Sequence, residues 1–276
     1  MLGKLLKHEF RQTARILPFV FLSAVVLSAF AFISYQTKFE SFQAIATLLM
    51  VVSIAGIPIV SFIFLIQRFG KNLFGGEGYL MFTLPVKSVE LYWSKFISTM
   101  VWGAASIVVS FGELMLFIYF VGGMTGAGVT ELIMIFEQIF AVGNIHIILI
   151  YLLCALAVFL FSFTAVVFFS ITLSNTGIGG KSPNLIAFVF FMVISIVLNT
   201  LESLSMVLIP VSLRITTSPP SIAIVNENMM SMLNNINGAG LDTILIGIGN
   251  FLVTIPVAIA AIAITIRMMK KKVNLR

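Results

Sequence analysis

Charge is what this 276-residue chain has least of. Asp, Glu, Lys and Arg make up 9% of it, against about 25% in ordinary globular chains. With 60% of the residues hydrophobic and a mean hydropathy of +1.14, a soluble fold could not cover its apolar surface. Cysteine is nearly absent too. Cys154 stands alone inside an apolar run, which excludes an intrachain disulfide. The chain has two histidines far apart, His8 and His146, one aspartate, Asp242, and no H-E-x-x-H motif. Intramembrane catalysis needs nucleophiles, acids or metal ligands that converge at membrane depth, so neither an enzyme nor a metal site is expected.

What the chain has is apolar length. Six runs reach the roughly 20 residues that a helix needs to cross a bilayer: Ile16–Tyr35, Ala44–Ile66, Phe96–Val121, His146–Leu173, Asn184–Ser205 and Ile244–Met268. They are long and do not alternate, which argues for helices rather than a barrel. The expectation is an all-α integral membrane protein with one membrane domain over residues 1–276. Six crossings place both termini on one side. Fourteen of the sixteen Lys and Arg fall on that side, and only Lys38 and Arg214 fall opposite, so both termini are expected in the cytoplasm. The basic excess is then a topology signal and a contact with anionic lipid. No basic domain exists to bind nucleic acid.

Residues 1–15, "MLGKLLKHEFRQTAR", read as an amphipathic helix in the headgroup region. Leu2, Leu5, Leu6, Phe10 and Thr13 share one face, while Lys4, Lys7, His8, Arg11 and Arg15 share the other. Glu9 interrupts the apolar face. It either meets a cationic or hydrogen-bonding partner on a neighbouring segment or snorkels into the headgroups. Ala29-Phe30-Ala31 resembles a signal cleavage site, but the apolar run before it is too long for a signal peptide, so the run is kept as a span. "NTGIGGKSP", Asn175 to Pro183, ends like a phosphate-binding loop. The full motif needs glycine where Asn175 stands, and a preceding strand. It is read as a Gly-rich turn carrying Lys181, so no nucleotide site is expected in this chain.

Two carboxylates lie in or near spans, Glu113 in the third and Glu202 late in the fifth. A charge near the bilayer centre costs about 2.5–3.5 kcal/mol on insertion scales. Glu113 is therefore either functional or a protonated acid that pins helices together. Thr99, Gly103, Ser106 and Ser110 recur every three or four residues before it, a small-residue ridge that lets helices approach closely. Glu113, Ser106 and Ser110 are thus candidates for a pathway or an interface, facing protein rather than lipid. On the outside, Gly122 to Ile145 contains "TELIMIFEQIF", read as a short helix capped by Thr130. Residues 206–243 form the other external loop. Its apolar start, "MVLIPVSL", is too short to cross again and suggests a re-entrant or interfacial piece.

The loop between the second and third runs, residues 67–95, is unusually apolar. In "GGEGYLMFTLPVKSVELYWSKF" the glycines permit a sharp turn, "EGYLMFTL" allows two short helical turns, Pro85 ends them, and Ser88 caps the next helix. From Ser88 to Val121 a helix would run about 50 Å at 1.5 Å per residue. The third span therefore begins well inside the cytoplasm and carries an apolar knob, Tyr79 to Leu84, suited to docking.

"KHEFRQTAR" before the first span and "RFGKNLFGGEGYLMFTLPVKSVELYWSKF" after the second resemble the six-span permease subunits of bacterial ATP-binding-cassette exporters, above all the small Gram-positive permeases of antimicrobial-peptide and antibiotic export systems. The resemblance implies that the N-terminal helix lies on the membrane. It implies that the loop after the second span is a coupling helix seated in a cleft of the ATPase, and that the segment between spans five and six is re-entrant from outside. Glu77, Tyr79, Leu80, Phe82, Leu84 and Pro85 match the coupling region. The function so implied is transport without catalysis, in a bacterial cytoplasmic membrane. Two permease subunits, identical or homologous, would form the pathway. Partner ATPase chains would bind the ATP and Mg²⁺. The cargo would be amphipathic or lipophilic, such as a peptide, an antibiotic or a lipid, because the spans offer few charges to a hydrophilic solute. The rival readings are a secondary transporter, thinly supported by Glu113, and a non-transporting scaffold or immunity protein.

The topology is open to a direct check in a Cys154→Ala background. Cysteines placed at Ser88 and Ser182 should react with an impermeant reagent only after the membrane is opened. Cysteines at Thr37, Thr130 and Ser218 should react in intact cells. External labelling at Ser88 would invert the scheme.

Overall fold

The computed structural model describes residues 2–37, 39–75, 86–125, 134, 137, 144–178, 182–217, 220–231 and 243–271. Seven helices organise them: α1 (Leu2–Thr13), α2 (Leu17–Thr37), α3 (Glu40–Phe74), α4 (Ser88–Thr125), α5 (Ile145–Leu173), α6 (Pro183–Leu208) and α7 (Asn250–Lys271). Six of them, α2 to α7, are long and apolar enough to cross a membrane. The chain divides into two compact units, Met1–Ile135 and Phe136–Asn274, with the last two residues grouped with the first.

In the first unit α3 and α4 pack as an antiparallel pair, with α2 against both and α1 against α4. The buried face of α3 repeats every three or four residues through Ala46, Met50, Ser53, Ile57, Ser61, Leu65, Phe69 and Leu73, as one helical face must. The facing stripe on α4 is the small-residue ridge, and Thr99, Ser106, Ser110 and Glu113 are all buried. At 35 and 38 residues, α3 and α4 are about 52 and 57 Å long, well beyond the roughly 30 Å hydrocarbon core. The connection expected over residues 67–95 is correspondingly shorter, because α3 runs on to Phe74 and α4 is already helical at Ser88. Near the other end of the pair, Ala31, Ala46, Met50 and Phe120 form an apolar core flanked by Phe30, Tyr35 and Phe117.

In the second unit α5 packs against α6 and α7. On α7 the buried positions Thr254, Ala258, Ala261, Ile262, Thr265 and Met269 again trace one face. After α5 the chain makes one π-helical turn, Ser174–Ile178, and α6 starts at Pro183, where proline costs no helical hydrogen bond. A helix, not a strand, therefore precedes the Gly-Lys-Ser sequence, and residues 179–181 lie outside the described residues.

The expected all-α class needs correcting. Between α6 and α7 lie three antiparallel strands, β1 (Ser212–Thr217), β2 (Pro220–Val225) and β3 (Thr243–Gly247), in the order β2-β1-β3. The stretch expected to be re-entrant is the end of α6, a break at Ile209 and Pro210, and then β1. The last span begins at Asn250 rather than Ile244. The physical reason is side-chain shape and period. Leu213, Ile215, Ile222, Ile224, Ile244 and Ile246 pair across the strands on one face, a period of two rich in branched residues. Hydropathy alone does not distinguish "TILIG" from the helix that follows. Asn144, in the left-handed conformation at φ 62°, donates from Nδ2 to the Ile222 carbonyl at 3.2 Å and so ties the start of α5 to β2. Asparagine tolerates that conformation better than most residues.

Two glycines allow β3 and the turn after it to lie against the last turns of α6. A Cβ at Gly247 would run into the Met206 carbonyl, and one at Gly249 into the Ser205 carbonyl. At Gly103 on α4 a Cβ would meet the tip of the Phe62 ring at 2.7 Å, and a ring can turn away. Gly249→Ala should therefore destabilise the protein by about 1–3 kcal/mol, as overpacking does. Gly103→Ala should cost less. Thermal unfolding of both variants in detergent checks the order.

Candidate functional site

The candidate site lies where α1 docks on the α3–α4 pair. Nearly every residue from Leu91 to Thr99 is buried, so the start of α4 is enclosed almost all round. Sequence alternation cannot produce such a segment by itself, because "LYWSKFIST" mixes apolar and polar residues. It is buried because α3 covers one side and α1 another. Trp102, one turn beyond, touches Phe10 of α1 and Phe21 of α2, with ring centroids 6.3 and 6.0 Å away. It fastens both helices to α4.

Within this joint sits an ion cluster. Glu9 is only 4% exposed. Its Oε1 accepts from Lys95 Nζ at 2.8 Å, and its Oε2 accepts from Arg68 Nε at 3.1 Å. Arg68 also donates through Nη2 to Gln12 Oε1, and Gln12 Nε2 is 3.2 Å from His8 Nε2. Thr13 returns its hydroxyl to the Glu9 carbonyl at 2.8 Å. One carboxylate of α1 thus holds a cation from α3 and a cation from α4. Lys95 is 3% exposed, while the Arg68 side chain reaches 14%. Burial alone would push the Glu9 carboxyl up, but Lys95 and then Arg68 outweigh it and hold it below its ordinary value of 4.5. A void of about 10 Å³, room for about one water molecule, opens beside the cluster, lined in part by Ser98 and Thr99. The Ser98 hydroxyl is buried and makes no hydrogen bond among the described residues.

The residues singled out from sequence fall as follows. Lys4, Lys7 and Arg11 are exposed on the side of α1 away from Glu9, and Arg15 is exposed in the turn that follows α1. Ser106 donates to the Gly103 carbonyl at 2.7 Å. Ser110 is buried, and Glu113 Oε1 lies 2.9 Å from Ser53 Oγ of α3. All three face α3 inside the first unit. Glu77, Tyr79, Leu80, Phe82, Leu84 and Pro85 lie outside the described residues, as does Thr130. In the second unit Glu202 accepts from Thr254 of α7 at 2.7 Å, and Arg214 pairs with Glu227. Lys95 and Arg68 had entered only as topology-setting charges. The signal that could have found them is Glu9 itself, since a carboxylate on an apolar face calls for a cation from elsewhere.

The fold and this joint define a class, a multi-pass α-helical membrane protein. No family model, curated protein or solved structure matches the chain.

Glu9→Gln would leave Lys95 buried without its counter-ion and should cost about 3–5 kcal/mol, the range for breaking a buried pair. The pH dependence follows from the lowered carboxyl. Its contribution is fully present above 4.5 and is lost as pH falls through the lower value of the folded state. In a Trp93→Phe background, Trp102 emission should report α1 leaving α4 on acidification, and at neutral pH in Glu9→Gln.

Proposed function

We propose that this chain is the membrane-spanning subunit of an ATP-driven exporter in a bacterial cytoplasmic membrane, with both termini in the cytoplasm. The observation that carries the reading is the α3–α4 pair. Two antiparallel helices outrun the bilayer, are joined through residues 75–87, and are tied at that end to α1 by a buried ion cluster. Such a pair can carry a displacement at its tip into the spans, because a continuous helix transmits motion along its axis. The apolar residues of the connecting stretch, Tyr79, Leu80, Phe82 and Leu84, flanked by Glu77 and Pro85, supply a docking surface for a partner ATPase. That partner binds and hydrolyses ATP with Mg²⁺. A second permease subunit, identical or homologous, completes the pathway. The cargo is amphipathic or lipophilic, a peptide, an antibiotic or a lipid, and the segment between α6 and α7 faces outside. The alternatives are a secondary transporter and a non-transporting scaffold or immunity protein, neither of which would need an ATPase.

Burying one large apolar side chain contributes roughly 1.5–3 kcal/mol, and each 1.4 kcal/mol is about tenfold in affinity. Leu80→Ala with Phe82→Ala should therefore weaken capture of the partner ATPase by at least about tenfold, with normal membrane insertion. Leu5→Ala with Leu6→Ala should leave capture largely intact. Pull-down from detergent extracts decides the matter, and a knob variant that keeps its ATPase and full transport would sink the exporter reading.

A further inference from the structure

Glu113 is 3% exposed and sits between α3 and α4 far from the ion cluster. Ser53 Oγ lies 2.9 Å from the Met50 carbonyl oxygen and 2.9 Å from Glu113 Oε1. A hydroxyl has one hydrogen, and a backbone carbonyl can only accept. Once the Ser53 hydrogen goes to Met50, the contact with Oε1 is a hydrogen bond only if the carboxyl brings a hydrogen of its own. The other oxygen, Oε2, is buried and has no hydrogen-bond partner among the described residues. For an ionised carboxylate that is a costly loss of hydration, and for the carbonyl oxygen of a neutral acid a smaller one.

Among the described residues of the first unit no counter-ion is at hand. α2 carries no charged residue, and α3 carries none between Glu40 and Arg68. Arg68 is about 22 Å along α3 from Ser53, and Lys95 about 27 Å along α4 from Glu113. The cations of α1, Lys4, Lys7 and Arg11, together with His8 and Glu9, belong to that same far end. The remaining titratable groups on the packed elements are Lys71 of α3 and Glu90 of α4, farther along toward that same end, Glu40 at the start of α3, about 20 Å from Ser53, and the phenols Tyr35, Tyr92 and Tyr119, none of which puts a positive charge near Glu113.

We propose that Glu113 is a proton-binding site within the membrane: at neutral pH it is a carboxylic acid whose Oε1–H donates to Ser53 Oγ, which donates in turn to the Met50 carbonyl. This two-step relay bonds α4 to α3 without placing a charge in the span. Loss of the proton turns Oε1 into an acceptor, leaves Met50 and Glu113 competing for one hydrogen, and sets a bare anion in the seam. The assignment stands apart from the exporter reading, since it needs neither ATPase nor cargo.

Infrared spectroscopy of the full chain in lipid nanodiscs tests it. The difference between wild type and Glu113→Gln at neutral pH should contain a protonated-carboxyl C=O stretch that shifts in D₂O. Carboxylate bands alone in that difference overturn the proposal. Should Glu113→Gln fail to fold, Ser53→Ala keeps the acid and removes its acceptor. The same band should then change frequency relative to wild type, and identical spectra overturn the relay.

Discussion

A carboxylate taken out of water loses several kcal/mol of hydration, and Glu9 is held in that condition by two cations. Each comes from a different helix, Lys95 from α4 and Arg68 from α3. Much of the first unit depends on this arrangement. Because the cations flank the carboxylate, α1 cannot leave one helix without exposing the charge of the other. Because α1 stays, the beginning of α4 is enclosed and Trp102 has both Phe10 and Phe21 to rest on. The α3–α4 pair therefore ends in a braced joint rather than in two free helix tips.

Glu113 shows that burial alone does not decide a carboxyl's state. Glu9 and Glu113 are about equally hidden. Glu9 has two cations within hydrogen-bond reach, whereas Glu113 has a serine and a stretch of membrane helix. The first arrangement favours the anion, and the second favours the neutral acid, which can donate. The small residues around Glu113 belong to the same solution. Gly103 and Ser106 keep the helix axes close enough for a short side chain such as Ser53 to reach across, which a ridge of leucines would prevent.

The second unit solves a different problem. β3 and the turn after it lie against the end of α6 with glycine at the points of contact, Gly247 against the Met206 carbonyl and Gly249 against that of Ser205. Leu213, Ile215, Ile222, Ile224, Ile244 and Ile246 share one face of the sheet, and on it Leu213 and Ile222 are buried. The opposite face carries Ser212, Arg214 and Thr216. Asn144 fastens the sheet to α5 with one side-chain amide, so sheet and helix start are held together by both packing and a hydrogen bond.

The helical spans were legible in the sequence because hydropathy over twenty residues belongs to each run taken alone. So were the amphipathic first helix and the small-residue ridge, each a matter of spacing within one segment. The strands were not read, although their branched residues alternate, because "TILIG" runs without a polar break into α7 and looks like more of the same span. The reach of α3 to Phe74 was missed for a related reason, since Arg68 and Lys71 end an apolar run without ending a helix. What the sequence by itself determined is a chain of six apolar helices with one charged, amphipathic preface, since solvation acts residue by residue. Only the tertiary structure decided that Glu9 meets Arg68 and Lys95, 59 and 86 residues away, because that meeting depends on how separate helices pack, and no local pattern specifies it.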